Sequence, residues 1–191
     1  MTLDLDLKKL LKKATIDCHP DSLVKSFVSK HNNSMDVNGV KYDIKKIPLY
    51  VLGFGKASAN MAKEIEDIIG PNNIESGLVV TTPTSTKLRK IELYESTHPI
   101  ISEKSFNAGK RLIQFVKNTK IEGIIICLIS GGGSALVASP KNGISKDDKM
   151  EFFRYLLLQG INEIDQNIVR KSISGIKGGG LAKLLIKKYN K

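Results

Sequence analysis

Three glycine-rich turns with cations beside them are the segments of this 191-residue chain whose residue types could do chemistry. They read GFGKAS at Gly53–Ser58, SGGGSA at Ser130–Ala135 and IKGGGLA at Ile176–Ala182. Glycine lets a backbone approach an anion closely, and a helix that follows offers unpaired N–H groups and the positive end of its dipole. In the first turn Gly53 and Gly55 shape the chain and Lys56 puts a cation at a helix start, where the dipole opposes it unless an anion is bound. The motif is not a P-loop, because the lysine comes too early, and it is not a dinucleotide fingerprint, because Ser58 stands where the third glycine belongs. A solvated lysine beside a packing turn is the other reading. In the second turn one glycine would suffice to redirect the chain, yet Gly131, Gly132 and Gly133 stand together at extra entropic cost. A phosphate cradle with the Ser130 and Ser134 hydroxyls as donors accounts for them; close helix–strand packing is the competing explanation. In the third, Lys177 precedes Gly178 and Gly179, with Asn167, Arg170 and Lys171 just upstream. An arginine can grip a carboxylate or phosphate with two parallel bonds, although a basic helix face would leave the same pattern.

Among the remaining candidates, His98 in a His-Pro turn is placed to contact a ligand, whereas His19 and His31 read as solvated. The histidines and cysteines show no zinc spacing, nothing resembles a Ser-His-Asp arrangement, and no pair of acids is placed like a magnesium site.

These turns must be positioned by regular elements. Ile47–Leu52 reads as a strand that runs into GFGKAS, followed by a helix through Met61, Ile65 and Ile69 that Gly70-Pro71 ends. Gly77–Thr82 and Ile91–Glu95 are further strands, and Ser102 or Ser105 opens a helix with Phe106, Leu112 and Val116 on its apolar face. Ile124–Ile129 is apolar without alternation, as expected of a parallel strand covered on both faces, and it leads into SGGGSA. A capping box at Ser145–Asp148 starts a helix that Gly160 ends; Asn162–Lys171 is another, and Leu181–Tyr189 the last. At the N-terminus, Leu3, Leu7, Leu10, Leu11 and Ala14 follow helical spacing, a short helix starts at Asp21 or Ser22, and His31–Gly39 reads as a loop. Alternating strands and helices predict an α/β fold: a three-layer Rossmann-like domain with a mainly parallel sheet flanked by helices. In such sheets ligands bind at the carboxyl ends of the strands.

Composition narrows the classes. Hydrophobic residues at 41% and charged residues at 26% are ordinary for one globular domain over residues 1–191, with no repeat or linker. The net charge of +11 raises a nucleic-acid reading, but the lysines are spread from Lys8 to Lys191, there is no Trp, and aromatics total 6%. A lysine-rich surface around a site for anionic metabolites is preferred, with no nucleic acid. No apolar run approaches a bilayer span, so no membrane is expected, and the mixed-charge N-terminus is not a signal peptide. Cys18 and Cys127 lie far apart, with Cys127 inside the apolar run, which fits a buried thiol in a reducing cytoplasm.

The order GFGKAS, His98-Pro99, LISGGGSAL at Leu128–Leu136 and NIVRKSISGIKGGGLAKL at Asn167–Leu184 resembles the glycerate 2-kinases, also called hydroxypyruvate reductases. The resemblance runs from Leu3 to Leu185. It implies a kinase that uses ATP and a divalent metal, Mg²⁺, to phosphorylate D-glycerate at the 2-hydroxyl in a cleft between two domains. Lys56 and Arg170 would then be catalytic; Gly53, Gly55, Ser130–Ser134, Lys177, Gly178 and Gly179 would hold the nucleotide; His98, Asn167 and Lys171 would face the substrate. The sequence departs from the pattern at Ser172, where the family has a histidine, and at Ile100-Ile101-Ser102, where an acid is common. It also stops at Lys191, where family members continue. The expectation is therefore an N-terminal domain truncated before the second domain, with metal ligands outside the chain and weak or absent activity alone; a split gene, a truncated copy, or a piece that works with a separate chain supplying the rest would each account for it. A non-catalytic nucleotide or sugar-phosphate binding module is the alternative.

Overall fold

The structure, a computed structural model, describes residues 2–189, without the side chains of residues 2–5 and 189. Leu3, expected on the first apolar face, thus falls outside the described side chains, and Lys191 outside the described residues. Helices α1 (Thr2–Asp17) and α2 (Pro20–Phe27) lead into three short strands, β1 (Val28–His31), β2 (Ser34–Val37) and β3 (Val40–Asp43), which form a small antiparallel sheet. The polar stretch His31–Gly39, expected to be a loop, is therefore two hairpins. His31 pairs with Ser34 and Val37 with Val40, leaving Asn32-Asn33 and Asn38-Gly39 as two-residue turns. Positive φ at Asn32, Asn38 and Gly39 supplies the backbone twist that such turns demand. Turn-forming residues here join strands rather than replace them.

The principal sheet contains β4 (Leu49–Phe54), β5 (Ser76–Thr81), β6 (Ile91–Glu95) and β7 (Ile124–Ile129), all parallel, in the order β6-β5-β4-β7. The chain moves outward from β4 through β5 to β6, then crosses back to lay β7 on the other side of β4. The carboxyl ends of β4 and β7 therefore flank the point where strand order reverses, the place where open α/β sheets form a crevice. GFGKAS begins on the last two residues of β4 and runs on from it, and SGGGSA follows β7, so topology alone brings these two turns together.

Helices cover both faces. On one side α3 (Ser58–Ile69), with α2 and the small sheet, buries Leu49, Val51, Val79, Ile65 and Met35. On the other, α4 (Glu103–Asn118), α5 (Gly133–Leu136) and α8 (Gly180–Tyr189) close over Leu52, Val80, Leu112 and Val116. The expected three-layer α/β architecture is thus observed. Helices α6 (Lys146–Leu158) and α7 (Glu163–Ser172) lie beyond it, with Phe153 of α6 packing beside Phe106 and Ala138. The capping boxes at Ser102 and Ser145 start α4 and α6, and Asn162 caps α7.

Strand β7 departs from expectation. Its apolar run suggested cover on both faces, but it is the edge strand, only Leu128 is buried, and Cys127 and Ile129 are exposed. Alternate residues face α3, while Cys127 and Ile129 open onto a cavity between β7 and α7–α8. Cys127 is not a core thiol, although the apolar walls around it push its pKa up. No helix among the described residues is long and apolar enough to cross a membrane.

Candidate anion-binding site

The two strand-end turns are bonded to each other. The Lys56 amide donates to the Gly131 carbonyl at 2.9 Å, and the Ser130 amide donates to the Phe54 carbonyl at 3.1 Å. The Ala57 amide donates to Ser130 Oγ at 3.1 Å. Ser58, fully buried, donates its hydroxyl to the carbonyls of Gly55 and Val80 at 2.6 and 3.0 Å. This close approach explains Gly55: a Cβ there would lie 2.1 Å from Ser130 Oγ, and its φ of 131° is closed to most side chains. Gly53 likewise sits inside the sheet against Val79 and Leu128. Both glycines therefore serve the packing of the turns and face protein. The amides of Lys56, Ala57 and Ser58 are engaged internally, so this turn offers a ligand only its lysine side chain.

The second turn is the reverse. The amides of Gly131, Gly132, Gly133 and Ser134 form no hydrogen bond among the described residues. Four successive free N–H groups bending into a short helix make a concave anion cradle. Gly132 takes φ 89°, and a Cβ on it would lie 2.9 Å from Lys56 Cε and 3.0 Å from His98 Cδ2. Lys56 and His98 thus lie over the glycine loop together. The Lys56 ammonium has no hydrogen bond or acid partner among the described residues. His98 is exposed on one side, yet desolvation against the loop, and then the Lys56 charge, lower its pKa, so it is held as a neutral imidazole.

Behind the loop lies the cavity, of about 510 Å³, between β7, α7 and α8. Phe54, Leu112, Ile129, Val137 and Leu181 make its apolar walls; Ser130, Ser134, Asn167, Arg170, Lys171 and Lys177 supply the polar edge, with Gly178 and Gly179 beside them. Lys177 reaches under the loop, donating to the carbonyls of Ser134 at 2.6 Å and Val137 at 3.1 Å. It shares the Phe153 ring with Lys149 and Arg170, whose charged ends lie 5.4, 5.6 and 4.9 Å from the ring centre, respectively. No acid forms an ion pair with these three cations among the described residues, although the charge of Glu163 acts on Arg170. Burial, then the charges of Lys149 and Arg170, lower Lys177 to about 7, and burial lowers Lys149 to about 8. Arg170 is buried and its Nε has no hydrogen-bond partner among the described residues.

The structure therefore sorts the candidates into three sets. Ser130, Gly133, Ser134, Asn167, Arg170, Lys171, Lys177, Gly178 and Gly179 line one cavity, Lys56 and His98 meet over Gly132, and Gly53 and Gly55 face inward. Gly131 is exposed with open space about its Cα. Lys149 was not a candidate: in a helix rich in charge it reads as a surface lysine, and only the fold shows it fully buried, donating to the Ile173 carbonyl at 2.9 Å. The arrangement suits a polyanion with an apolar appendage. No three His, Cys, Asp or Glu side chains converge among the described residues.

Residues 6–189 match the family described as Domain of unknown function (DUF4147). The chain is 36% identical over 178 residues to a protein of Pyrococcus horikoshii named Glycerate 2-kinase, covering 93% of this chain and 40% of that protein. A solved structure of a protein from Pyrococcus horikoshii OT3 superposes with a TM-score of 0.83 at 35% identity, over 97% of this chain and 42% of that one. The crystal structure of Glycerate kinase from Thermotoga maritima gives 0.73 at 28% identity, over 94% and 42%. The chain thus spans about two fifths of the length of these relatives.

Proposed function

This chain belongs to the family described as Domain of unknown function (DUF4147), and we propose that it forms the nucleotide-handling part of a glycerate 2-kinase, acting on D-glycerate with ATP. The reading is carried by the row of free amides at Gly131–Ser134, with Lys56 on one side and the Lys177–Arg170 cluster on the other. Names of relatives supply the substrate.

ATP, when bound, would supply the phosphoryl group. The chain's own residues position and neutralise. The Gly131–Ser134 amides hold phosphoryl oxygens, and Lys177, bonded to the carbonyls of Ser134 and Val137, keeps their loop in place. Lys56, free of any acid, offsets negative charge on the outer side, where fixed charge does the most for phosphoryl transfer. His98, neutral, orients the hydroxyl of the acceptor there. Arg170, Asn167 and Lys171 hold anionic groups, and Gly178 and Gly179 allow close approach. Mg²⁺ belongs to the same reading, with ligands beyond the described residues, and would neutralise phosphoryl oxygens when bound.

A further polypeptide, on this chain's continuation or on a partner, would complete the cleft. The exposed Ile129 on the cavity wall supports this. The unpaired thiols of Cys18 and Cys127 fit a reducing cytoplasm. The test is incubation with ATP, magnesium and D-glycerate. Formation of 2-phosphoglycerate, by the chain alone or with the corresponding remainder of a relative added, supports the kinase. Nucleotide binding with no turnover even when that remainder is present leaves a binding module.

A further inference from the structure

A second cavity, of about 560 Å³, is bounded by the Ser139–Asn142 loop, the end of α7 and the start of α8. It shares Lys171, Lys177 and Gly178 with the first cavity but has its own walls. Lys141, Lys171 and Lys183 contribute cationic side chains, Ser172 and Ser174 hydroxyls, and Asn142 an amide; no acid lines it. Lys141, Lys171 and Lys183 have no ion pair or side-chain hydrogen bond among the described residues. Other exposed lysines, Lys87, Lys104 and Lys110 among them, also lack an ion pair among the described residues; what sets Lys141, Lys171 and Lys183 apart is that they share one concavity. Three unmatched lysines around one concavity raise its potential, because low-dielectric walls focus the field of charges of one sign.

The walls are preformed. Pro140 and Ser174 form an isolated bridge, the Lys141 amide donates to the Ile173 carbonyl at 3.1 Å, and the Gly175 amide donates to the Ser139 carbonyl at 3.0 Å. Gly180 packs so tightly on this turn that a Cβ would lie 2.3 Å from the Gly175 carbonyl oxygen. The volume falls in the range of about 300–1,000 Å³ usual for small-molecule clefts and exceeds what a bare ion fills. Hydroxyl and amide groups beside the lysines would grip a phosphate and leave room for a small polar body attached to it.

We infer that this cavity is a second ligand site, for a small phosphate monoester held by its phosphate through Lys141, Lys171 and Lys183. It requires nothing of the Gly131–Ser134 loop, and Lys171 is the one proposed ligand that it shares with the first cavity.

The test is amide-resolved NMR titration of the whole chain with inorganic phosphate and with glycerol 3-phosphate. Saturable shifts are expected at Asn142, Ser172 and Gly175, which line this cavity alone, with tighter binding of the ester. The double substitution Lys141→Gln and Lys183→Gln, at exposed positions outside the first cavity, should weaken those shifts at least tenfold. Shifts at Gly131–Ser134, which report on the nucleotide site, should persist in that variant. Silence at Asn142, Ser172 and Gly175, or unchanged affinity in the double variant, would overturn the site. Equal binding of the two probes would overturn its assignment to an ester.

Discussion

Lys56 and Lys177 are both cations beside the glycine loop, but their surroundings divide the work between them. Lys56 is exposed and unpartnered, so Lys56→Ala should leave the ligand-free protein within about 0.5 kcal/mol of wild type. The same change should erase the rise in melting temperature on adding ATP, which a thermal-shift assay reads directly. Lys177 is enclosed and pinned to two carbonyls. With Lys149 it sets a pH dependence of definite sign. Unfolded, both lysines titrate near 10.5; folded, they do so near 7 and 8. Between those limits the unfolded chain holds protons that the folded one has released, so stability rises with pH across this range. The melting temperature without ligand should be higher at pH 9 than at pH 6.5 once other groups are matched by comparison with Lys149→Met, which should flatten the rise. A bound polyphosphate favours protonated Lys177, so ATP-induced stabilisation should shrink as pH climbs above 7. Lys177 was legible in the sequence from the glycines after it. Lys149 was not, because nothing local distinguishes a lysine that a distant Phe153-centred cluster will bury from one that stays in water.

At the scale of elements, one contact holds the rim of turns and another fixes the opposite, amino-terminal end of the sheet. Gly55 lets the β4 turn rest on the β7 turn. Gly55→Ala would force a Cβ against Ser130 at a positive φ, costing on the order of 2 kcal/mol or more in urea unfolding and disordering the cradle. Glu66 on α3 is the second. Almost fully buried, its carboxylate accepts the amides of Arg89, Lys90 and Ile91 at 2.7, 2.7 and 2.8 Å, fixing the entry to β6. Burial alone would raise its pKa, but these three amides and the Arg89 guanidinium together lower it. Its contribution is present at neutral pH and is lost as acid protonates it. Glu66→Ala should cost about 3 kcal/mol in chemical denaturation by stranding those amides. The strands β4 to β7 were legible because each is a short apolar run closed by glycine or polar residues. The small sheet was not, because β1–β3 are four residues each and their paired asparagine turns look like loop composition. The exposure of β7 was missed for a related reason: apolar composition reports what a strand can bury, and its position at the sheet edge decides what it does bury.

For the whole molecule, the +11 charge and the shared rim of turns point to anionic small molecules. The chain spans about two fifths of its relatives' length, and Ile129 is exposed on the cavity wall. Activity assays on this chain alone should show little or no phosphoryl transfer, and adding the corresponding remainder of a relative should raise it. The measurement that bears most directly on the account is a crystal structure of this chain with a non-hydrolysable ATP analogue. Phosphoryl oxygens within hydrogen-bonding distance of the Gly131–Ser134 amides, with Lys56 turned toward them, are the expected result. Phosphates bound elsewhere while those amides face only solvent would contradict it.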